Sequence, residues 1–89
     1  MQILYRKRFL KNFESLDVKI QIKARQSISM LQKNPFDDLL NNHKLTWKYK
    51  WFASINVTWD YRIIFCELSD NRYEIVEISD IGSHSQLYK

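Results

Sequence analysis

Apolar residues recur at a helical period in the first half of this 89-residue chain and at a period of two in the second. Met1 to Tyr5 (MQILY) is a short apolar segment that predicts an opening strand. Phe9, Leu10, Phe13 and Leu16 then follow helical spacing, with basic residues at the outer positions, and predict a first short helix. Ile20, Ala24, Ile28 and Leu31 fall at i, i+4, i+8 and i+11, with Asp17 as N-cap and Asn34-Pro35 as the stop, and predict a second. Val18 to Ile22 also alternates like a strand, but the stripe runs two turns further and length decides for helix. Pro35 to Asn42 reads as a connector with one helical turn, Asp37 and Asp38 favouring its positive end.

Beyond Trp51, Ala53, Ile55 and Val57 alternate with Phe52, Ser54 and Asn56, and Tyr61, Ile63 and Phe65 with Arg62, Ile64 and Cys66. These are two adjacent strands joined tightly at Thr58-Trp59. Ser69 to Asn71 makes a second turn, and Tyr73 to Ser79 supplies a further strand. The expected fold class is therefore α+β: an amino-terminal strand, an α-helical hairpin, then a three-stranded antiparallel meander. Helices should cover one sheet face and leave the other open to a ligand. The length allows one domain, 1–89.

Composition adds three constraints. The one glycine, Gly82, compares with roughly six at ordinary usage, so turns have to form without it. A lone Cys66 excludes an internal disulfide and a cysteine-based zinc cluster, which fits a reducing compartment, and the cytoplasm is the expected location. No apolar run suits a membrane span, and Arg6, Lys7 and Arg8 interrupt the start before a signal-peptide core. Charge is also uneven. Residues 1–50 hold 11 Lys or Arg against 4 acids, whereas 51–89 hold 3 against 6. The basic half fits either a solvated helical surface or a face that attracts nucleic acid or an acidic protein.

No phosphate-binding glycine loop, metal-ligand spacing or nucleophile elbow is present, and His43 and His84 stand 41 positions apart, which argues against a metal site. No cofactor is expected. Acid–base chemistry on a nucleic acid stays open, with His43, Asp60, Arg62, His84 and Tyr88 as candidates. If the last strand pairs beside the middle one, its end approaches Asp60 and Arg62, and His84 and Arg62 then face one pocket. A structural reading competes at each position: His43 capping a turn, Asp60 shaping a hairpin, Arg62 paired with Glu74 or Glu77. The three tryptophans, Trp47, Trp51 and Trp59, are read as covering the core or making a protein contact in preference to stacking bases.

His43-Lys44-Leu45, Asp60-Tyr61-Arg62-Ile63-Ile64-Phe65 and Ile81-Gly82-Ser83-His84 with Leu87-Tyr88 together resemble the RelE/ParE superfamily of type II toxins, in its RelE/YafQ-like branch. The resemblance covers nearly the whole chain. It implies a toxin that cleaves messenger RNA, usually on the ribosome and without a metal, and that a cognate acidic antitoxin holds inactive; the alternative is a ParE-like gyrase-binding toxin or an inactive antitoxin-binding homologue. By position it implies catalytic roles for His84, Arg62 and Asp60, with His43 as a further candidate. Lys48, Lys50 and Tyr88 are the candidate substrate-binding residues. The chain departs from the family pattern where Trp47, Trp51 and Trp59 replace glycines, where Ala53 replaces a frequent Trp, and where Asn56 replaces a histidine. An amide cannot take up a proton at neutral pH, so the general base stays unassigned.

Overall fold

The computed structural model describes residues 1–46, 51–70 and 72–88. Strand β1 (Gln2–Tyr5) leads through Arg6 into helix α1 (Lys7–Glu14), and helix α2 (Val18–Lys33) follows after a short turn. A 3-10 turn at Asp38–Leu40 precedes strands β2 (His43–Lys44), β3 (Ala53–Asn56), β4 (Tyr61–Glu67) and β5 (Ile75–Ser83), and a last helical turn, α3 (His84–Leu87), closes the described chain. The architecture is the α+β arrangement read from the sequence: a strand, two helices, then antiparallel strands.

The Asp17 side chain accepts from the Lys19 amide at the start of α2, which satisfies one of the amide groups that a helix start leaves unpaired. Asn34, extended ahead of Pro35, ends it, because a proline ring crowds a helical conformation in the residue before it. Between the helix and β2 the Asp37 carboxylate accepts from the Leu39 amide, so Asp37 caps the 3-10 turn and Pro35 lies outside it.

The sheet order is β1-β5-β4-β3-β2. β1 pairs parallel with β5, Gln2 against Ile75 through Tyr5 against Ile78, and the other pairings are antiparallel. β2 extends the three-stranded meander by one short edge strand, His43 opposite Ser54 and Lys44 opposite Ala53. Across β4 and β5, Ile64 faces Asp80 while Phe65 faces Ile78, which leaves Ser79 as the extra residue of a bulge.

The core joins Phe9, Ala24, Ile28 and Leu31 of the helices to Leu40 and to Ile55, Ile63, Phe65, Val76, Ile78 and Ile81 of the sheet. Ile64 and Ser54, which alternate with that set, are also buried, and α3 folds over the sheet at Gly82. A Cβ on Gly82 would lie 3.3 Å from the Leu87 side chain and 3.1 Å from Gln86 Oε1. Close approach of the α3 side chains leaves little room for a larger residue here.

The basic and acidic halves of the sequence meet between α1 and β5. Arg6 pairs with Glu77 at 3.3 Å and Arg8 with Asp80 at 3.1 Å, while the Asn12 amide donates to the other Asp80 oxygen at 2.7 Å. Left-handed backbone falls at Asn41, Asp70 and Tyr73. The first two residue types tolerate it through local side-chain hydrogen bonding, while a bulky Tyr does so only when its surroundings compel it.

Candidate active site

The pairing of β4 with β5 brings the distant sequence candidates together. Arg62 lies opposite Gly82 on one side and Asn56 on the other, so all three share one face of the sheet. Two residues on, the His84 amide donates to the Asp60 carbonyl at 3.0 Å and lies 3.3 Å from Asp60 Oδ1. Asp60 therefore ties the start of β4 to the start of α3. The exposed His84 ring lies 4.8 Å from the Tyr88 ring, centroid to centroid.

Local sequence explains why His84 stands where it does. Ser83 and Gln86 form a reciprocal capping box, the Ser83 hydroxyl accepting from the Gln86 amide and Gln86 Oε1 accepting from the Ser83 amide at 2.8 Å. With Leu87 buried against Gly82, the single turn is anchored at both ends. His84 occupies its first position.

The β3–β4 turn is held by Thr58. Its hydroxyl accepts from the Asp60 amide at 3.3 Å and the Tyr61 amide at 3.0 Å, which fixes the reversal without a glycine. The Arg62 Nη1 donates to the carbonyls of Thr58 at 3.3 Å and Trp59 at 3.5 Å. Arg62 thus pairs with neither Glu74 nor Glu77, the latter being engaged by Arg6. Thr58 escaped the sequence reading as a site residue, although a threonine two residues ahead of Asp60 in a glycine-free turn is the available signal.

His43 stands apart. Its Nδ1 donates to the Asn41 carbonyl at 2.8 Å and its Nε2 lies 3.4 Å from the Ser54 hydroxyl. Two strand spacings and two residues along β3 separate its backbone from that of Arg62, roughly 12 Å. Lys48, Lys50 and Trp47 lie outside the described residues. Trp51 is 78% and Trp59 89% exposed, so the expectation that these indoles cover the core is overturned for both. Periodicity carries no information on the burial of a turn residue.

Asn56 Oδ1 is buried without a hydrogen-bond partner among the described residues, while the Asn56 carbonyl accepts from the Ser27 hydroxyl at 2.9 Å. Cys66 is not poised as a nucleophile. Burial first, and then the carboxylates of Glu77 and Glu67, push its thiol pKa up against a smaller opposing effect of Arg6, which keeps it protonated at neutral pH.

This topology is the RelE/ParE-like toxin fold. The chain is similar to YafQ from E. coli strain BL21(DE3), with a TM-score of 0.81 and 20% identity over 99% of this chain and 98% of that one. It is similar to a YoeB/ParE toxin from Agrobacterium tumefaciens, with a TM-score of 0.77 and 16% identity over 94% and 99% of the two chains. A chain of the toxin–antitoxin complex RelBE2 from Mycobacterium tuberculosis matches with a TM-score of 0.73 and 13% identity over 92% and 95%. No family model and no curated protein sequence matches the chain.

Proposed function

We propose that this chain is the toxin of a type II toxin–antitoxin pair and that it cleaves messenger RNA without a metal, on the ribosome and in the cytoplasm. The observation that carries the reading is the convergence of His84, Asp60 and Arg62 at the joined ends of β4 and β5. In the cleavage, the 2′-hydroxyl attacks phosphorus and releases its proton to solvent water as the bond to the 5′-oxygen breaks, giving a 2′,3′-cyclic phosphate and a 5′-hydroxyl. His84, whose ring is exposed, protonates the departing 5′-oxygen. Arg62 leaves its two turn carbonyls for the phosphate oxygens, a stronger, charge-assisted contact. Asp60 positions the His84 backbone, and the Tyr88 ring lies against the His84 ring. His43 belongs to the rim of the substrate face, and Lys48 and Lys50 bind the RNA backbone.

The partner of this toxin is an acidic antitoxin, in keeping with similar chains from E. coli and M. tuberculosis whose structures are complexes, DinJ-YafQ and RelBE2. Lys7, Lys11, Lys19, Lys23 and Arg25 on the two helices supply the steering charge, together with Arg6 and Arg8 beside their β5 carboxylates. Replacing the five by Gln should slow association more than it speeds dissociation and should flatten the salt dependence of the association rate. An unchanged association rate removes electrostatic steering from the proposal.

A second reading, a ParE-like gyrase-binding toxin or an inactive antitoxin-binding homologue, is favoured by Asn56, an amide where a proton acceptor is needed. Expression in cells with mapping of transcript ends separates the two. New ends within translated frames support cleavage, while a supercoiling defect without such ends supports gyrase binding.

A further inference from the structure

Trp59 is the most exposed large apolar side chain among the described residues. The turn that bears it is fixed. The Thr58 hydroxyl accepts two consecutive amides, and the amides of Val57 and Thr58 both donate to the Tyr61 carbonyl, at 2.9 and 3.3 Å. An indole held on a fixed backbone and left in water serves neither the core nor the turn. Substitution of a smaller residue there leaves every one of those hydrogen bonds in place.

Its surroundings are those of the candidate active site. The Trp59 carbonyl accepts from Arg62, the next residue is Asp60, and Asp60 holds the backbone of His84, whose ring meets Tyr88. A protein-docking patch needs contiguous apolar surface, whereas Trp59 is flanked by Thr58 and Asp60 and its backbone carbonyl accepts from the Arg62 guanidinium. A lone exposed aromatic on a fixed turn that also holds a guanidinium is the arrangement that takes a nucleobase on its face and the adjoining phosphate on its charge.

We propose that Trp59 is a nucleobase-stacking residue that holds one base of single-stranded RNA while Arg62 meets the neighbouring phosphate, and so sets the register of the strand over His84. The proposal rests on the ribonuclease reading and assigns to it a residue that contributes binding and positioning. Stacking is sequence-tolerant, so Trp59 fixes where the chain is cut without selecting one base.

The test uses the full chain with oligoribonucleotides carrying 2′-O-methyl groups, which bind without being cut, and with cleavable counterparts. Trp59→Ala should leave the melting temperature unchanged, weaken binding by about 5- to 150-fold and raise KM more than it lowers kcat, while Trp59→Phe keeps most of the affinity. A scan of single abasic positions should find one that weakens binding to the parent but not to Trp59→Ala, since the base and the indole then form one coupled pair. Equal RNA binding by parent and Trp59→Ala overturns the stacking role and leaves the ribonuclease reading standing. A parent that does not bind the free oligoribonucleotides overturns the stacking role, and the ribonuclease reading is overturned separately if the parent also fails to cut ribosome-bound messenger RNA. Loss of affinity for an acidic protein partner, with RNA affinity unchanged, makes Trp59 a protein contact and overturns the proposal.

Discussion

The β3–β4 turn and the β4–β5 turn both reverse the chain without glycine, and they do so by different chemistry. The first relies on a neutral hydroxyl, Thr58, and leaves the Trp59 indole in solvent while the Trp59 carbonyl accepts from Arg62. The second relies on a carboxylate: Glu67 accepts from the Ser69 amide, from the Ser69 hydroxyl at 2.7 Å and from the Tyr73 amide at 3.0 Å, while Ser69 Oγ accepts from the amides of Glu74 and Ile75. Tyr73, at a φ of 57°, is pinned by Phe36 and Phe65 and by an Asn42 hydrogen bond to its hydroxyl. One turn turns its aromatic residue inward and consumes its polar groups internally. The other leaves its aromatic residue unused by the fold, and the proposed ribonuclease reading assigns that turn the functional role.

The largest effect is expected at the functional turn. Arg62→Ala should slow single-turnover RNA cleavage by about 10²- to 10³-fold with little change in melting temperature, and Arg62→Lys should recover only part of the loss because the planar fork is gone. An unaffected rate would erase the distinction between the two turns.

At the structural turn the outcome should be inverted. Glu67→Ala should lower unfolding stability by about 1 to 3 kcal/mol, the range for leaving several donors without their charged acceptor, with the per-molecule cleavage rate unchanged. Partial burial opposes ionisation of Glu67, but the donors from Ser69, Tyr73 and Arg72 outweigh it and hold the carboxyl below its ordinary pKa. A depressed native value means that this stabilisation is present above the unfolded pKa of about 4.3 and is lost as pH falls through the lower, folded value. Chemical denaturation at a series of acid pH values should therefore show a shallower acid decline in Glu67→Gln than in the parent.

Gly82→Ala probes the link between the regions. The added methyl meets the Leu87 and Gln86 side chains, which have to give by a few tenths of an ångström, and the expected cost is about 1 kcal/mol. Because α3 carries His84, cleavage should fall more than stability does. The smallest effect is expected for Tyr73→Phe, which keeps both ring contacts and removes only the hydroxyl bonded by Asn42, for about 1 kcal/mol or less. A loss well above that would mean that the hydroxyl, more than the packing, imposes the left-handed backbone.

The contrast also marks how far the chain could be read in advance. The Ile20-Ala24-Ile28-Leu31 stripe and the Ile55 and Ile63 alternations declared α2, β3 and β4 because burial of one face imposes its period on the sequence. β2 was hidden, since two residues carry no period and His43-Lys44 becomes a strand only through Ser54 and Ala53. β5 runs to Ser83 although Asp80 interrupts its apolar pattern, because Arg8, Asn12 and the Ile81 amide satisfy that carboxylate. The Ser83-x-x-Gln86 capping box was present to be read and would have announced α3. Asp60, Arg62 and His84 could be placed in one neighbourhood once two strands were taken as antiparallel neighbours. The exposure of Trp59 could not, because nothing local to a turn says whether its side chain finds a core.

The central claim, that the joined ends of β4 and β5 form an RNA-cleaving centre worked by His84, is tested most directly by single-turnover cleavage of ribosome-bound messenger RNA by the purified chain and its His84→Ala variant. His84 is exposed, so the variant should melt with the parent. The account expects its cleavage rate to fall by 10²-fold or more. Cleavage by His84→Ala at the parent rate, or no cleavage by the parent at all, would contradict it.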